Sequence, residues 1–265
     1  MRTMERRKAR GNRMSAVQWT IDGLPEESQR LLRSYVKDVA QAYAEQLDAV
    51  LLYGSAVRGE FLPGRSNLNL LLFVSSYDVA LLKAYVVVHK KWNKELVVVP
   101  LFLTKADLEA SAFVFPLEYQ DIHECHRLLW GQDPFIGFKV DQRHLAGEVL
   151  QALRSNVLRM RQRLVEGGGT EEAMTLLLPL SITALLPVLR GVQRLLAKPV
   201  LSQGESLLKD LEAHFGIDLT GLHDALLMKR GHISPGHNEV PRVMDRYLDS
   251  LGRLVDVVER QLGHR

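Results

Sequence analysis

The hydrophobic pattern changes character along the chain. Leu31, Leu32, Tyr35, Val36, Val39, Tyr43 and Leu47 recur three and four positions apart, the spacing that gathers side chains on one face of a helix. Residues 49–53 form a short apolar run that stops at Gly54, and 68–74 form a second, reached through a Gly- and Pro-containing connection. Both predict strands. Helical spacing returns over 77–94, and the β-branched stretch 95–104 predicts a third strand whose ladder Pro100 interrupts, so part of it belongs at an edge or bulge. From about Leu145 onward, Leu, Val and Met keep helical spacing through long segments separated by 167–169, 198–199 and 232–236. The expected fold class is therefore α+β, a small mixed β-sheet domain over 16–140 followed by an all-helical bundle over 141–265.

The chemistry-bearing residues cluster between the first two strands. Tyr53 is followed by Gly54 and Ser55, then Arg58 and Gly59, and the second strand opens with Ser66, Asn67, Leu68 and Asn69. This spacing resembles the signature of the polymerase-beta-like nucleotidyltransferase superfamily. There a strand ends in Gly-Ser, a turn carries Arg-Gly, and the next strand opens Ser-Asp-x-Asp. Residues 115–134 are similar to the segment that follows the third strand in the aminoglycoside-nucleotidyltransferase-like branch. The resemblance covers roughly 49–134 and implies a nucleotidyltransferase-like fold for that half.

The two departures from the pattern fall on the metal ligands. Residues i and i+2 of a strand share a face, so aspartates at positions 67 and 69 would hold divalent metal beside the Gly-Ser turn. In such enzymes the metals clamp the triphosphate and neutralise the departing pyrophosphate. This chain has Asn67 and Asn69 instead, which keep the shape and lose the charge. The third carboxylate of the family lies on the following strand, and the matching run Leu96 to Phe102 contains no acid. The resemblance thus implies a degenerate site without catalytic or metal-binding residues and with no cofactor. Gly54, Ser55, Arg58 and Ser66 are its candidate nucleotide- or phosphate-binding residues. The same residues also have structural readings: Gly54 for the turn, Arg58 bridging to Glu60, and Asn67 with Asn69 closing local hydrogen bonds.

Charge and composition narrow the classes further. Residues 1–15 carry six basic side chains against Glu5, a net +5 that leaves the remaining chain at −2 from a total of +3. That arm has no aromatic residue to stack a base and no apolar period, so it reads as a solvated tail rather than a nucleic-acid site. The single cysteine, Cys125, has no disulfide partner, which fits a reducing cytoplasm. No run approaches 18 consecutive apolar residues, so no membrane partner is expected. His123 and His126 stand three apart, expected on one helix, and read as packing or surface residues. The Leu-rich stripes near 176–180 and 185–189 look generous for a self-contained bundle and suggest a homodimer through the helical domain.

These observations lead to a catalytically degenerate nucleotidyltransferase-like protein that binds a nucleotide or another phosphate ligand. Two alternatives stand beside it. One is an active enzyme that recruits Glu60, Asp78 or Glu95 to hold Mg²⁺. The other is an interaction or antitoxin-like scaffold with no small ligand.

Overall fold

A computed structural model describes residues 21–76, 78–93, 97–236 and 238–262. The basic arm, Glu95 and His237 lie outside the described residues. The fold is α+β, and the chain divides into two compact units. One comprises the described residues through Ala112 together with Ile122–Lys139, and the other Phe113–Asp121 with the chain from Val140 onward.

The first unit is built on a four-stranded sheet. Helix α1 (Glu26–Tyr43) leads into β1 (Leu47–Tyr53), and a single helical turn α2 (Ser55–Arg58) follows. Then come β2 (Asn69–Val74), α3 (Val79–Trp92), β3 (Leu101–Leu103), α4 (Lys105–Ser111), α5 (Pro116–Glu124), whose residues through Asp121 belong to the other unit, and β4 (His126–Gly131). The strand order is β3-β2-β1-β4, with β2 and β3 parallel and the other pairs antiparallel. The two central strands are the two apolar runs, LDAVLLY and NLLLFV, because a strand flanked on both sides has little contact with water. The edges are short or polar: β3 has three residues, Pro100 having stopped the ladder before it, and β4 opens with His126 and Arg127.

Helices α1 and α3 cover one face. Leu32, Tyr35, Val36, Val39 and Tyr43 of α1 are buried with Leu81, Tyr85 and Val88 of α3 against Val50, Leu52, Leu70 and Leu72. Most polar tips inside this layer are satisfied, since the Tyr35 and Tyr85 hydroxyls lie 2.9 Å apart and Trp92 Nε1 donates to Asp38 at 2.9 Å, whereas the buried Tyr43 hydroxyl has no partner among the described residues. Asp78 caps α3 by accepting the Leu81 amide at 2.8 Å. At the other end of the β1–β4 pair, Gly131 has φ +81° and a Cβ there would lie 1.8 Å from the Asp48 carbonyl, so only glycine lets the strands meet.

The second unit holds five long helices: α6 (Gln142–Glu166), α7 (Glu171–Leu195), α8 (Gly204–Phe215), α9 (Thr220–Arg230) and α10 (Val240–Leu262). Leu145, Val149 and Leu153 of α6, Leu178, Ile182, Leu185 and Leu189 of α7, and Tyr247, Leu251, Leu254 and Val258 of α10 share one core. By length and composition alone α7 is long and apolar enough to cross a membrane, and a third of that window is buried within the fold. Within the unit its apolar face is instead buried against the neighbouring helices. It contains Pro179 and Pro187, each of which removes a backbone donor, and the Thr183 hydroxyl donates to the Pro179 carbonyl at 2.6 Å. Polar ties hold its end: Gln193 donates to Asp210 at 2.8 Å and accepts the Leu201 amide, while Arg194 pairs with Asp121 at 2.9 Å.

The closest backbone approach in this unit is at α9 and α10. A Cβ at Gly221 would stand 2.2 Å from the Arg246 carbonyl oxygen. Gly221→Ala should therefore force the two helices apart and lower stability by about 1–3 kcal/mol, the usual cost of overpacking. Urea unfolding of the variant beside the parent chain checks this, and an unchanged midpoint would refute the contact.

Candidate functional site

The signature residues meet at one end of the sheet. Tyr53 is the last residue of β1, and the antiparallel registers place it directly opposite Asn69 of β2 on one side and His126 of β4 on the other. Residues directly opposite in such a ladder share a face, so Asn69, Tyr53 and His126 form one row across three strands. Leu68 is fully buried and bridges to Val97, which turns its neighbours Asn67 and Asn69 towards the opposite face. Asn67 is exposed and Asn69 half-buried.

The turn after β1 requires its glycines. Gly54 has φ +79°, and a Cβ there would lie 2.8 Å from Asn69 Nδ2, so the Asn69 amide packs against the glycine itself. The chain then makes the single turn of α2, with the Val57 and Arg58 amides donating to the Gly54 carbonyl at 3.1 Å. Gly59 closes it in the left-handed region, and the Glu60 amide donates to the Ser55 carbonyl at 3.0 Å. Ser55 is half-buried at the start of the turn, whereas Arg58 is 8% exposed and thus largely enclosed. Ser66 closes the connecting loop: its amide donates to the Leu62 carbonyl at 2.8 Å and its hydroxyl accepts the Leu62 amide at 3.0 Å.

The donor set does not suit a hard dication. Between the Leu68↔Val97 and Leu71↔Leu101 pairings the adjacent chain carries Val98, Val99 and Pro100, and Val99 is 59% exposed. Opposite Asn69, where an acid would complete a metal site, the chain is apolar. Mg²⁺ prefers charged oxygen ligands. At about 4 Å and an effective dielectric of about 20, each missing unit charge forgoes on the order of 4 kcal/mol per unit of ionic charge. Among the described residues no group of three or more His, Cys, Asp or Glu is placed to hold a metal. Of the three acids considered as replacements, Asp78 follows the far end of β2. The five steps from Asn69 to Val74 at about 3.3 Å each span roughly 17 Å, and Asp78 comes four residues after that end.

His126 is where the sequence reading needs correction. It does not continue a helix with His123, because α5 ends at Glu124 and His126 opens β4. The Cys125 amide donates to the Ile122 carbonyl, and His126 Nδ1 lies 2.9 Å from that carbonyl, ending the helix with a side chain. His126 Nε2 lies 3.1 Å from Asp133 Oδ2, and the ring packs beside Phe135 at 5.4 Å between centroids. A histidine oriented by a carboxylate thus stands in the same row as Asn69. The signal for it was the run from Arg127 to Trp130, apolar enough for a strand and bounded by Gly131.

Gly54→Ala should cost about 1–3 kcal/mol through the disfavoured φ together with the clash at Asn69. Adding Asn69→Ala removes the clash and leaves the φ, so thermal unfolding should show only partial recovery in the double variant. Full recovery would mean that the left-handed backbone contributes nothing.

No protein-family model and no curated protein sequence matches the chain. Among solved structures, the spectinomycin adenyltransferase AAD(9) from Enterococcus faecialis, determined with ATP and spectinomycin, is similar. Its TM-score is 0.52 at 10% identity, covering 84% of this chain and 99% of that one. At that identity the likeness carries the fold alone: a small mixed sheet followed by helices.

Proposed function

We propose that this chain is a catalytically degenerate nucleotidyltransferase-like protein that binds a nucleotide or another phosphate ligand at the Gly54 turn without a metal. The observation that carries the reading is the amide of Asn69 packed against Gly54, where an enzyme of this fold would use a carboxylate. The fold neighbour was determined with ATP, which makes a nucleotide the natural ligand to test. Amides of the Gly54-Ser55 turn would donate to phosphate oxygens, with Arg58 beneath them as the nearest cation of the motif.

Nucleotidyl transfer breaks the bond between the α-phosphorus and the bridging oxygen, and pyrophosphate leaves with the electron pair. With neutral amides at 67 and 69 and an exposed valine at 99, these positions offer no carboxylate to hold a metal that would offset the charge developing on the leaving group. Binding without turnover is the consequence. The competing reading, an enzyme with replacement carboxylates, would rest on Glu60 and on Glu95, since Asp78 is committed to the cap of α3 at the other end of the strand. We also place the protein in the cytoplasm, on the strength of its single cysteine.

Calorimetric titration with ATP, GTP, CTP and UTP, each with and without Mg²⁺, tests the proposal. The affinity for the preferred nucleotide should change less than about threefold on adding Mg²⁺, with no pyrophosphate released above background. Ser55→Glu, which sets a like charge at the turn, should weaken binding by at least about tenfold. Mg²⁺-dependent binding with pyrophosphate release would overturn degeneracy, and absence of any nucleotide or phosphate binding would overturn the ligand.

A further inference from the structure

The helical unit carries a groove of about 630 Å³ that the nucleotidyltransferase reading leaves unused. It runs between α6 and α7, with the residues leading into α5 along one side. Its lining mixes polar and apolar side chains, and several of the apolar ones face water: Leu180 is 58% exposed, Val114 47% and Phe115 46%. Single exposed apolar residues are ordinary, but a row lining one groove is not.

The charges along the groove are segregated. Glu118 and Glu148 line one end, and Arg159 and Arg163 the other, with Ala152 and Ser155 between them on α6. Glu148 accepts the Leu117 amide at 2.6 Å, which fixes its carboxylate beside the start of α5. Glu118 is open to solvent yet recessed in the groove. Burial raises its pKa, and the neighbouring Glu148 and Asp121 raise it further, so two like charges crowd one end with no cation of the groove beside them. Burial raises Glu148 as well, against the pull of the Leu117 amide.

The spacing on α6 has a two-fold property. Glu148, Ala152, Ser155, Asn156, Arg159 and Arg163 follow one another at three, four or one positions and share the groove face. An antiparallel copy of α6 turned about an axis between Ser155 and Asn156 brings Glu148 beside Arg163 of the partner subunit, and the reverse contact follows by symmetry. The fifteen-residue span is about 22 Å at 1.5 Å per residue, long enough for a four-turn seam. Ala152 and Ser155 at its centre permit the close helix approach of roughly 8 Å that small side chains allow. An unrelated acidic or basic helix would match one end and be repelled at the other, whereas a second copy of this chain matches both.

We propose that the α6–α7 groove is the face of a two-fold homodimer in which the acidic end, Glu118 and Glu148, seats on the basic end, Arg159 and Arg163, of a second copy. The apolar row of Val114, Phe115 and Leu180 is covered in the same contact. The dimer is independent of the nucleotide reading, because the groove residues and the Gly54 turn belong to different units and the test reads mass rather than ligand.

Sedimentation equilibrium of the full chain up to about 100 μM, with far-UV circular dichroism confirming folding, decides the matter. The parent should dimerise, and Arg163→Glu should raise the dissociation constant by at least about tenfold. Arg159→Glu should act in the same direction. Glu148→Arg combined with Arg163→Glu should recover most of the lost affinity, because the exchanged charges meet again across the axis. A chain that stays monomeric throughout would overturn the proposal and leave the groove as a small-molecule site. A dimer indifferent to the reversals, or one that the charge exchange fails to restore, would also overturn it by showing that another face is used.

Discussion

The antiparallel ladder between β1 and β2 is the constraint on which the candidate cleft depends. Leu51 and Leu52 pair with Leu71 and Leu70, all buried, and a slip of one residue would turn each of them to the other face. That cost holds Tyr53 opposite Asn69, and the chain must then leave the sheet through Gly54 directly against the Asn69 amide. The pairing of β1 with β4 extends the row to His126. Three residues far apart in sequence thus come together because of apolar packing behind them, and none of them contributes to that packing itself.

Much of this was legible from the chain, and the misses have physical causes. The two central strands announced themselves as unbroken apolar runs, since both their faces are covered. Pro100 marked the break in the third strand, and the structure keeps only Leu101–Leu103 beyond it. The end of α5 was legible only in part: the run Arg127–Trp130 before Gly131 suits a strand while the His123 and His126 spacing suits a helix, and the pairing with β1 decides for the strand at His126. The enclosure of Arg58 was equally hidden, since a single helical turn has no period to read. The lack of an acid over Leu96 to Phe102 could be read from the chain, but the exposure of Val99 is visible only in the structure.

On the proposed reading, giving up the metal and keeping the turn are separable in energy. Replacing carboxylate by amide leaves volume and hydrogen-bonding shape nearly unchanged, so the fold tolerates Asn67 and Asn69, while a dication loses the charge that would offset its dehydration. The helical unit follows a different logic. Its core is deep, and α7 runs through it despite two prolines because buried Leu178, Ile182, Leu185 and Leu189 outweigh the missing backbone donors. Part of what that unit leaves uncovered lines a groove with Glu118 and Glu148 at one end and Arg159 and Arg163 at the other.

The central claim is that this cleft has no affinity for a divalent ion. Electron paramagnetic resonance of Mn²⁺ titrated into the protein, with the variant carrying Asn67→Asp and Asn69→Asp as reference, tests it without requiring turnover. The parent chain should leave the free-ion signal undiminished, whereas the variant should quench it at about one ion per chain. Stoichiometric quenching by the parent, abolished by changing Glu60 or Glu95, would contradict the account and make this protein a working metal-dependent site.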